Sequence, residues 1–327
     1  MYKLVFNRFY NGVLLCIVLV CLPSFSIASS ASDDTNPTKV HKKEIAFSFD
    51  DSPRFARGFM DGPTRAKRLI AELEDHDIGR VVFFSNTFEL DDPNGEGMKR
   101  LQSYSDAGHI IANHTHSHAN FNETSAQDFI KEIDKADQIL RQFDTFKPWF
   151  RFPYLREGNT LQKRDAVRKH LASLGYINGY TTIDTYDWYM ESLFQQAIKE
   201  NPQLDLERVK RFYVETIVDG AEQDYKAALK VLNRSPKHLL LMHETDLAAL
   251  FTGDLADALR AKGWTIISNE EAYTDDISNY KTPAYYDFNP GRVDEIALDR
   301  GINIWPARTS LTQEGLNTIF YEMVLED

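Results

Sequence analysis

Two short stretches of the chain concentrate side chains able to do chemistry. In Phe47-Ser48-Phe49-Asp50-Asp51-Ser52-Pro53 an apolar run delivers two adjacent carboxylates to a turn. Such a pair is ordinarily a solvated turn, but crowding two negative charges calls for a compensating cation. In Asn113-His114-Thr115-His116-Ser117-His118, three of the chain's nine histidines fall within five residues. Imidazoles at His114 and His118, turned to one side of a loop or helix start, can bind zinc together with a carboxylate. Two imidazoles and one carboxylate leave a coordination position open for water, as catalytic zinc sites do. His116, between them, is expected to point elsewhere and to be structural.

Three further clusters carry single candidates. Arg151, in Trp149-Phe150-Arg151-Phe152-Pro153-Tyr154, ends an apolar run and needs an acidic partner, for which Asp50 and Asp187 are both eligible; a salt bridge that only ties strands together is the plainer role. Asp184-Thr185-Tyr186-Asp187-Trp188 offers a carboxylate beside a large apolar wall. Leu239-Leu240-Leu241-Met242-His243 ends a buried strand with an imidazole, a core residue unless a carboxylate orients it for proton transfer.

The elements that must position these groups follow from apolar periodicity and turn signals. Strands are expected at 45–49, 81–85, 109–112, 149–152, 180–183, 239–242 and 265–267. Helices are expected at 64–75, 98–106, 125–143, 162–174, 206–233 and 247–262, with Pro63 at a first helical position and Gly108, Gly175 and Gly263 just past helix ends. Strand–helix alternation of this kind argues for a parallel α/β sheet, closed into a barrel of about seven units or open. In such barrels chemistry collects at the C-terminal ends of the strands. Asp50 and Asp51, His114 and His118, Arg151, Asp187 and His243 fall at five of those ends, the pattern of one active site. The connection at 189–236 is long enough for two helices and reads equally as a lid or substrate wall or as a surface insertion. Residues 274–327 form a C-terminal extension, rich in Tyr, Asp, Asn and Pro and helical near 312–325, with no chemistry assigned.

Before the first strand, Lys3 and Arg8 precede an apolar stretch from Gly12 to Leu22 and the small-residue sequence Ser26-Ile27-Ala28. This reads as a signal peptide over 1–28 with cleavage after Ala28 or Ala31, followed by a flexible leader over 29–43. The apolar stretch is about half of the roughly 20 residues a spanning helix needs. Both cysteines, Cys16 and Cys21, lie inside it, so the mature chain has no disulfide, thiolate metal site or cysteine nucleophile. Loss of Lys3 and Arg8, with no acid removed, takes the net charge from −12 to −14. An acidic surface disfavours nucleic acid and anionic lipid as partners. Hydrophobic residues make up 43% of the chain, enough for a sizeable core.

Taken together, the five clusters resemble the motifs of the polysaccharide deacetylases, the NodB-homology or carbohydrate esterase 4 family, across roughly Lys43 to Glu271 and in family order. The resemblance implies a distorted NodB-like (β/α) barrel over 44–273, a divalent metal, zinc foremost, and an acetylated glycan as substrate. By position it makes Asp51, His114 and His118 the metal ligands and Asp50 the general base, an assignment the residues alone leave open. Arg151 matches the residue that anchors the base, Tyr154 the oxyanion-hole N–H and a substrate contact, and Trp188 a groove wall. His243 matches the general acid and Asp187 its partner. The implied activity is hydrolysis of N-acetyl groups from an N-acetylglucosamine-containing glycan by an exported, periplasmic or secreted enzyme. The alternatives are an O-acetyl polysaccharide esterase and an inactive carbohydrate-binding protein on the same fold. Ser52 departs from the glycine of many members; if that position needs a positive φ, serine is mildly strained there.

Overall fold

The computed structural model describes residues 41–56, 58–91, 96–288, 290–304 and 312–326. The expected signal peptide and residues 29–40 of the leader lie outside them, and Lys43, placed at the end of the leader, instead opens the first strand. Among the described residues no helix is long and apolar enough to cross a membrane.

The alternation resolves as strand β1 (Lys43–Ser52), helix α1 (Gly62–Asp75), β2 (Val82–Ser85), α2 (Glu96–Asp106), β3 (Ile110–Asn113), α3 (Ala126–Leu140), β4 (Phe146–Phe150) and α4 (Leu161–Ser173). Two short strands follow, β5 (Ile177–Asn178) and β6 (Ile183–Asp184). Helices α5 (Asp187–Glu200) and α6 (Leu206–Leu232) fill the long connection before β7 (Lys237–His243). The chain continues through α7 (Asp246–Ala261), β8 (Trp264–Ile266), α8 (Asn269–Ala272), α9 (Gly291–Asp299) and α10 (Gln313–Phe320). Helix starts carry the chemistry expected of them: the side chains of Asp61, Ser125, Thr160 and Thr245 each accept from a backbone N–H of the first turn.

Every strand pairing is parallel, in the order β5-β4-β3-β2-β1-β7-β6. β8 joins the start of β1, at Lys43–Ile45, on the side that β2 occupies further along. The two edge strands, β5 and β6, are separated by only residues 179–182, which span at most about 18 Å. Seven strands laid flat would put their edges roughly 29 Å apart. The sheet therefore curls, and the chain is the distorted (β/α) barrel of about seven units that the sequence implies. Ile45, Phe47 and Phe49 of β1 face outward into the core with α1, α6 and α7, whereas Ala46, Ser48 and Asp50 alternate to the inner face. Helices α5 and α6 supply Met190, Phe194, Val209, Phe212 and Tyr213 to the same core, so most of the 189–236 stretch is barrel wall rather than a surface insertion.

The strand expected at 180–183 is corrected to two fragments flanking a break. Its backbone is engaged otherwise: the carbonyls of Gly179 and Tyr180 accept from the Arg151 side chain at 2.6 and 3.2 Å, and that of Thr181 accepts from Arg292 N at 2.8 Å. A Cβ on Gly179 would lie 2.6 Å from the Phe84 ring, so the close approach requires glycine. Helix α9, which no sequence signal singled out, packs against this seam. Its Arg292 is buried, donates to the carbonyls of Ile277 and Tyr280 at 3.0 and 2.8 Å and pairs with Glu295 at 2.9 Å. The C-terminal segment thus closes what the strands leave open. Replacing Arg292 with Leu removes one partner of a buried ion pair and should lower stability by about 3 kcal/mol, read as a lower urea midpoint at unchanged slope.

Candidate active site

Alternation along β1 sends Asp50 inward and would send Asp51 to the opposite face. The register between β1 and β2 slips between Phe49 and Ser52, and Asp51 takes a left-handed φ of 60°. This bulge re-aims one carboxylate, so both acids reach the same point. His114 Nε2 lies 3.6 Å from Asp50 Oδ2 and 3.8 Å from Asp51 Oδ1. The left-handed residue is Asp51 and not Ser52, so the condition under which serine would be strained there is not met.

The loop after β3 turns just as tightly, with φ of 71° at Thr115 and 57° at His118. Asn113 holds it, accepting from Thr115 N at 2.8 Å while its amide donates to Ile133 O and the Tyr176 hydroxyl, both at 3.1 Å. His118 Nε2 then stands 3.3 Å from Asp51 Oδ1. His114 Nδ1 is 2.7 Å from the Arg151 carbonyl, so that nitrogen carries the proton and Nε2 presents a lone pair. Burial pushes both His114 and His118 down to about 4, against the pull of the Asp51 carboxylate. Desolvation pushes the half-buried Asp51 carboxyl up, yet the imidazoles of His118, His243 and His114 hold it well below the usual range. At neutral pH the site offers one carboxylate and two neutral imidazoles. Asp51 Oδ1 is buried without a hydrogen bond, and the three ligand atoms lie within 4.8 Å of one another. Donor types, protonation and the orphaned oxygen all fit a divalent metal. His116 points away: its Nδ1 donates to Thr87 Oγ1 at 2.8 Å and its Nε2 accepts from Lys135 Nζ at 2.7 Å.

Inside the barrel, fully buried Arg151 donates to Asp50 Oδ1 at 2.6 Å and to Ser48 Oγ at 2.9 Å, and its guanidinium lies 4.1 Å above the centre of the Phe84 ring. Of the two acids eligible as its partner, Asp50 is the one it meets. Burial raises the Asp50 pKa, and Arg151 partly offsets the rise. On the adjoining strand His243 is the register partner of Asp50. Its Nδ1 donates to Asp187 Oδ1 and its backbone N–H to Asp187 Oδ2, each at 2.7 Å. Burial alone would depress His243, but the Asp187 charge and hydrogen bond, with Asp51 and Asp50 behind them, raise it to about 9. Asp187 occupies the first turn of α5, after left-handed Tyr186. Trp188 follows, half-buried, with its ring 6.1 Å from that of Tyr186 and 5.6 Å from that of Tyr189. Tyr154, left-handed at φ 58°, leaves its ring half exposed and 4.6 Å from that of His118.

Sequence reasoning missed the support of the β1–α1 loop. Buried Glu244 accepts from Arg54 N, from Arg65 Nε at 3.2 Å and from the Tyr104 hydroxyl at 2.8 Å, while Arg65 and Arg100 both donate to Arg54 O. Nothing in the local spacing marks Arg65, on an otherwise ordinary helix, as the partner of a residue 179 positions away. Ser48 was within reach, since it stands two residues before Asp50 on the same strand face.

Comparison with known proteins agrees with the motif reading. Residues 38–178 match the family model described as polysaccharide deacetylase. A chitin deacetylase from Colletotrichum lindemuthianum is 25% identical over 225 residues, covering 68% of this chain and 80% of that protein. A peptidoglycan-N-acetylglucosamine deacetylase from Bacillus cereus is 26% identical over 149 residues, 45% of this chain and 47% of that one. Among solved structures, a family 4 carbohydrate esterase from Streptomyces lividans in complex with acetate is similar at 18% identity and a TM-score of 0.45, over 69% of this chain and 92% of that chain.

The geometry predicts that Asp51→Ala, His114→Ala and His118→Ala each lower the zinc retained by the purified protein at least roughly tenfold, whereas His116→Ala leaves it unchanged. Plasma emission spectrometry of dialysed samples reads the difference.

Proposed function

We propose that this chain, which belongs to the polysaccharide deacetylases through its residues 38–178, is an exported hydrolase that removes N-acetyl groups from an N-acetylglucosamine-containing glycan. The observation that carries the reading is the meeting of an unpaired carboxylate oxygen with two neutral imidazoles, beside two further proton-transfer groups held on adjoining strands. Asp51, His114 and His118 would hold a divalent metal, zinc by preference for that ligand set, which supplies Lewis acidity toward the acetyl carbonyl and acidifies the attacking water. The residue roles below are part of the proposal.

Asp50 takes the proton of the attacking water. Its raised pKa makes it a stronger base than a solvated aspartate, and Arg151 keeps it ionised and aimed by occupying Oδ1. The backbone N–H of Tyr154 donates to the developing oxyanion, a contact worth about 3 kcal/mol in hydrolases. An amine leaves poorly unless protonated. His243, held as imidazolium by Asp187, delivers that proton to the sugar nitrogen, and the products are acetate and a free amino sugar. Trp188 provides an apolar wall for the sugar ring.

Amide and ester cleavage differ in their need for the leaving-group proton, and this tests the assignment. His243→Ala should lose at least roughly a hundredfold in kcat/KM on an N-acetylglucosamine oligomer and distinctly less on an activated aryl acetate. Asp50→Ala should impair both. Acetate release at matched metal content measures each. Equal losses for His243→Ala on both substrates would remove it as the acid, and wild-type turnover of esters with none of any N-acetylated glycan would favour an O-acetyl esterase.

A further inference from the structure

Outside the groups assigned above, the C-terminal face of the barrel carries an aromatic pair without an evident structural task. Phe55, in the β1–α1 loop, and Phe88, in the 3-10 turn after β2 (Thr87–Asp91), are 37% and 52% exposed. Their ring centres are 6.3 Å apart at 81°, which makes an open corner of one face and one edge. Single exposed apolar residues are commonplace. A pair held rigidly in water is less so, and both members are held. Phe55 N donates to the Glu89 carboxylate at 2.7 Å, and the preceding residue is fixed by Glu244, Arg65 and Arg100. Phe88 N donates to His116 O at 2.8 Å, and the two rings meet edge to face at 6.0 Å. The doubly hydrogen-bonded His116 ring, which takes no part in the metal site, thus serves as the footing of Phe88.

The position of the pair ties it to the reacting centre. Strand β2 lies between β1 and β3, which carry Asp51 and the two candidate ligand histidines, so the turn after β2 borders that centre. Phe55 is four residues beyond Asp51, at most about 14 Å along the chain. Tyr154 and Trp188 follow β4 and β6, elsewhere around the barrel mouth. We propose that Phe55 and Phe88 form a distal sugar subsite, in which the apolar C–H face of a pyranose stacks in the corner while another residue of the same glycan strand lies at Asp51. The inference rests on the glycan reading of the site. It makes the substrate an extended chain rather than a mono- or disaccharide, because a short substrate cannot occupy both places.

The pair is exposed and its backbone anchors do not involve the rings, so Phe55→Ser/Phe88→Ser should fold as wild type. With matched zinc, the double variant should lose roughly tenfold in kcat/KM on an N-acetylglucosamine hexamer, through KM, from losing two half-buried aromatic contacts. Activity on the dimer should be unchanged. Phe88→Trp should retain hexamer activity, and its indole emission should change on adding hexamer. An undiminished hexamer KM, or equal losses on hexamer and dimer, overturns the subsite. Calorimetric binding of the hexamer separates this claim from the chemistry: affinity that falls roughly tenfold in the double variant upholds the subsite even if wild type releases no acetate, and unchanged affinity rejects it.

Discussion

Two neighbouring residues of one strand have to face one point, and strand geometry forbids it. The conflict is relieved by the slipped register between Phe49 and Ser52 and the left-handed turn at Asp51. Without that bulge Asp51 would join Phe47 and Phe49 on the outer face, where a charge could not be buried beside α1 and α7. With it, Asp50 stays in the ladder opposite His243 while Asp51 swings to the imidazoles. The loop after β3 answers with two left-handed residues of its own. Strained backbone on both sides of the cluster is what a preorganised site requires, and the buried Glu244–Arg65 pair holds the following loop in place.

The same barrel interior gives Asp50 and His243, the two proposed proton-transfer groups, different environments. Asp50 is raised by burial and moderated by Arg151; His243 is raised by Asp187 in spite of burial. A carboxyl shifted upward and an imidazole shifted upward are, respectively, a better base and a longer-lived acid at neutral pH. Arg151 links this chemistry to the architecture, because its other N–H groups occupy the carbonyls that would otherwise extend the fifth strand. The guanidinium that meets Asp50 thus also occupies carbonyls at the seam in the barrel, which the C-terminal segment, through Arg292, closes.

Much of this was readable from residue order. Apolar runs ending in Asp, His or Arg located the strand ends to within a few residues, because buried parallel strands are near-continuous apolar stretches. The strand expected at 180–183 failed because its backbone is engaged by long-range partners, Arg151 and Arg292. The left-handed turn at Asp51 depends likewise on the β2 register. Local spacing carries no information about either. Residue spacing alone left Asp50 and Asp187 equally eligible as the partner of Arg151; the family resemblance pointed to Asp50, and the inner face of β1, which carries both Ser48 and Asp50, is what the guanidinium meets.

The central claim is that opposed proton-transfer roles are set by Asp50 and by the Asp187–His243 pair, and the pH dependence of kcat/KM tests it most directly. On the proposed roles, activity should rise as Asp50 ionises and be lost as pH climbs through the pKa of His243, so the expected wild-type profile is a bell. Asp187→Asn removes the charge that holds His243 up near 9, so the alkaline limb should move to lower pH while the acid limb stays. An alkaline limb that does not move, in a folded variant with full metal content, would contradict the account.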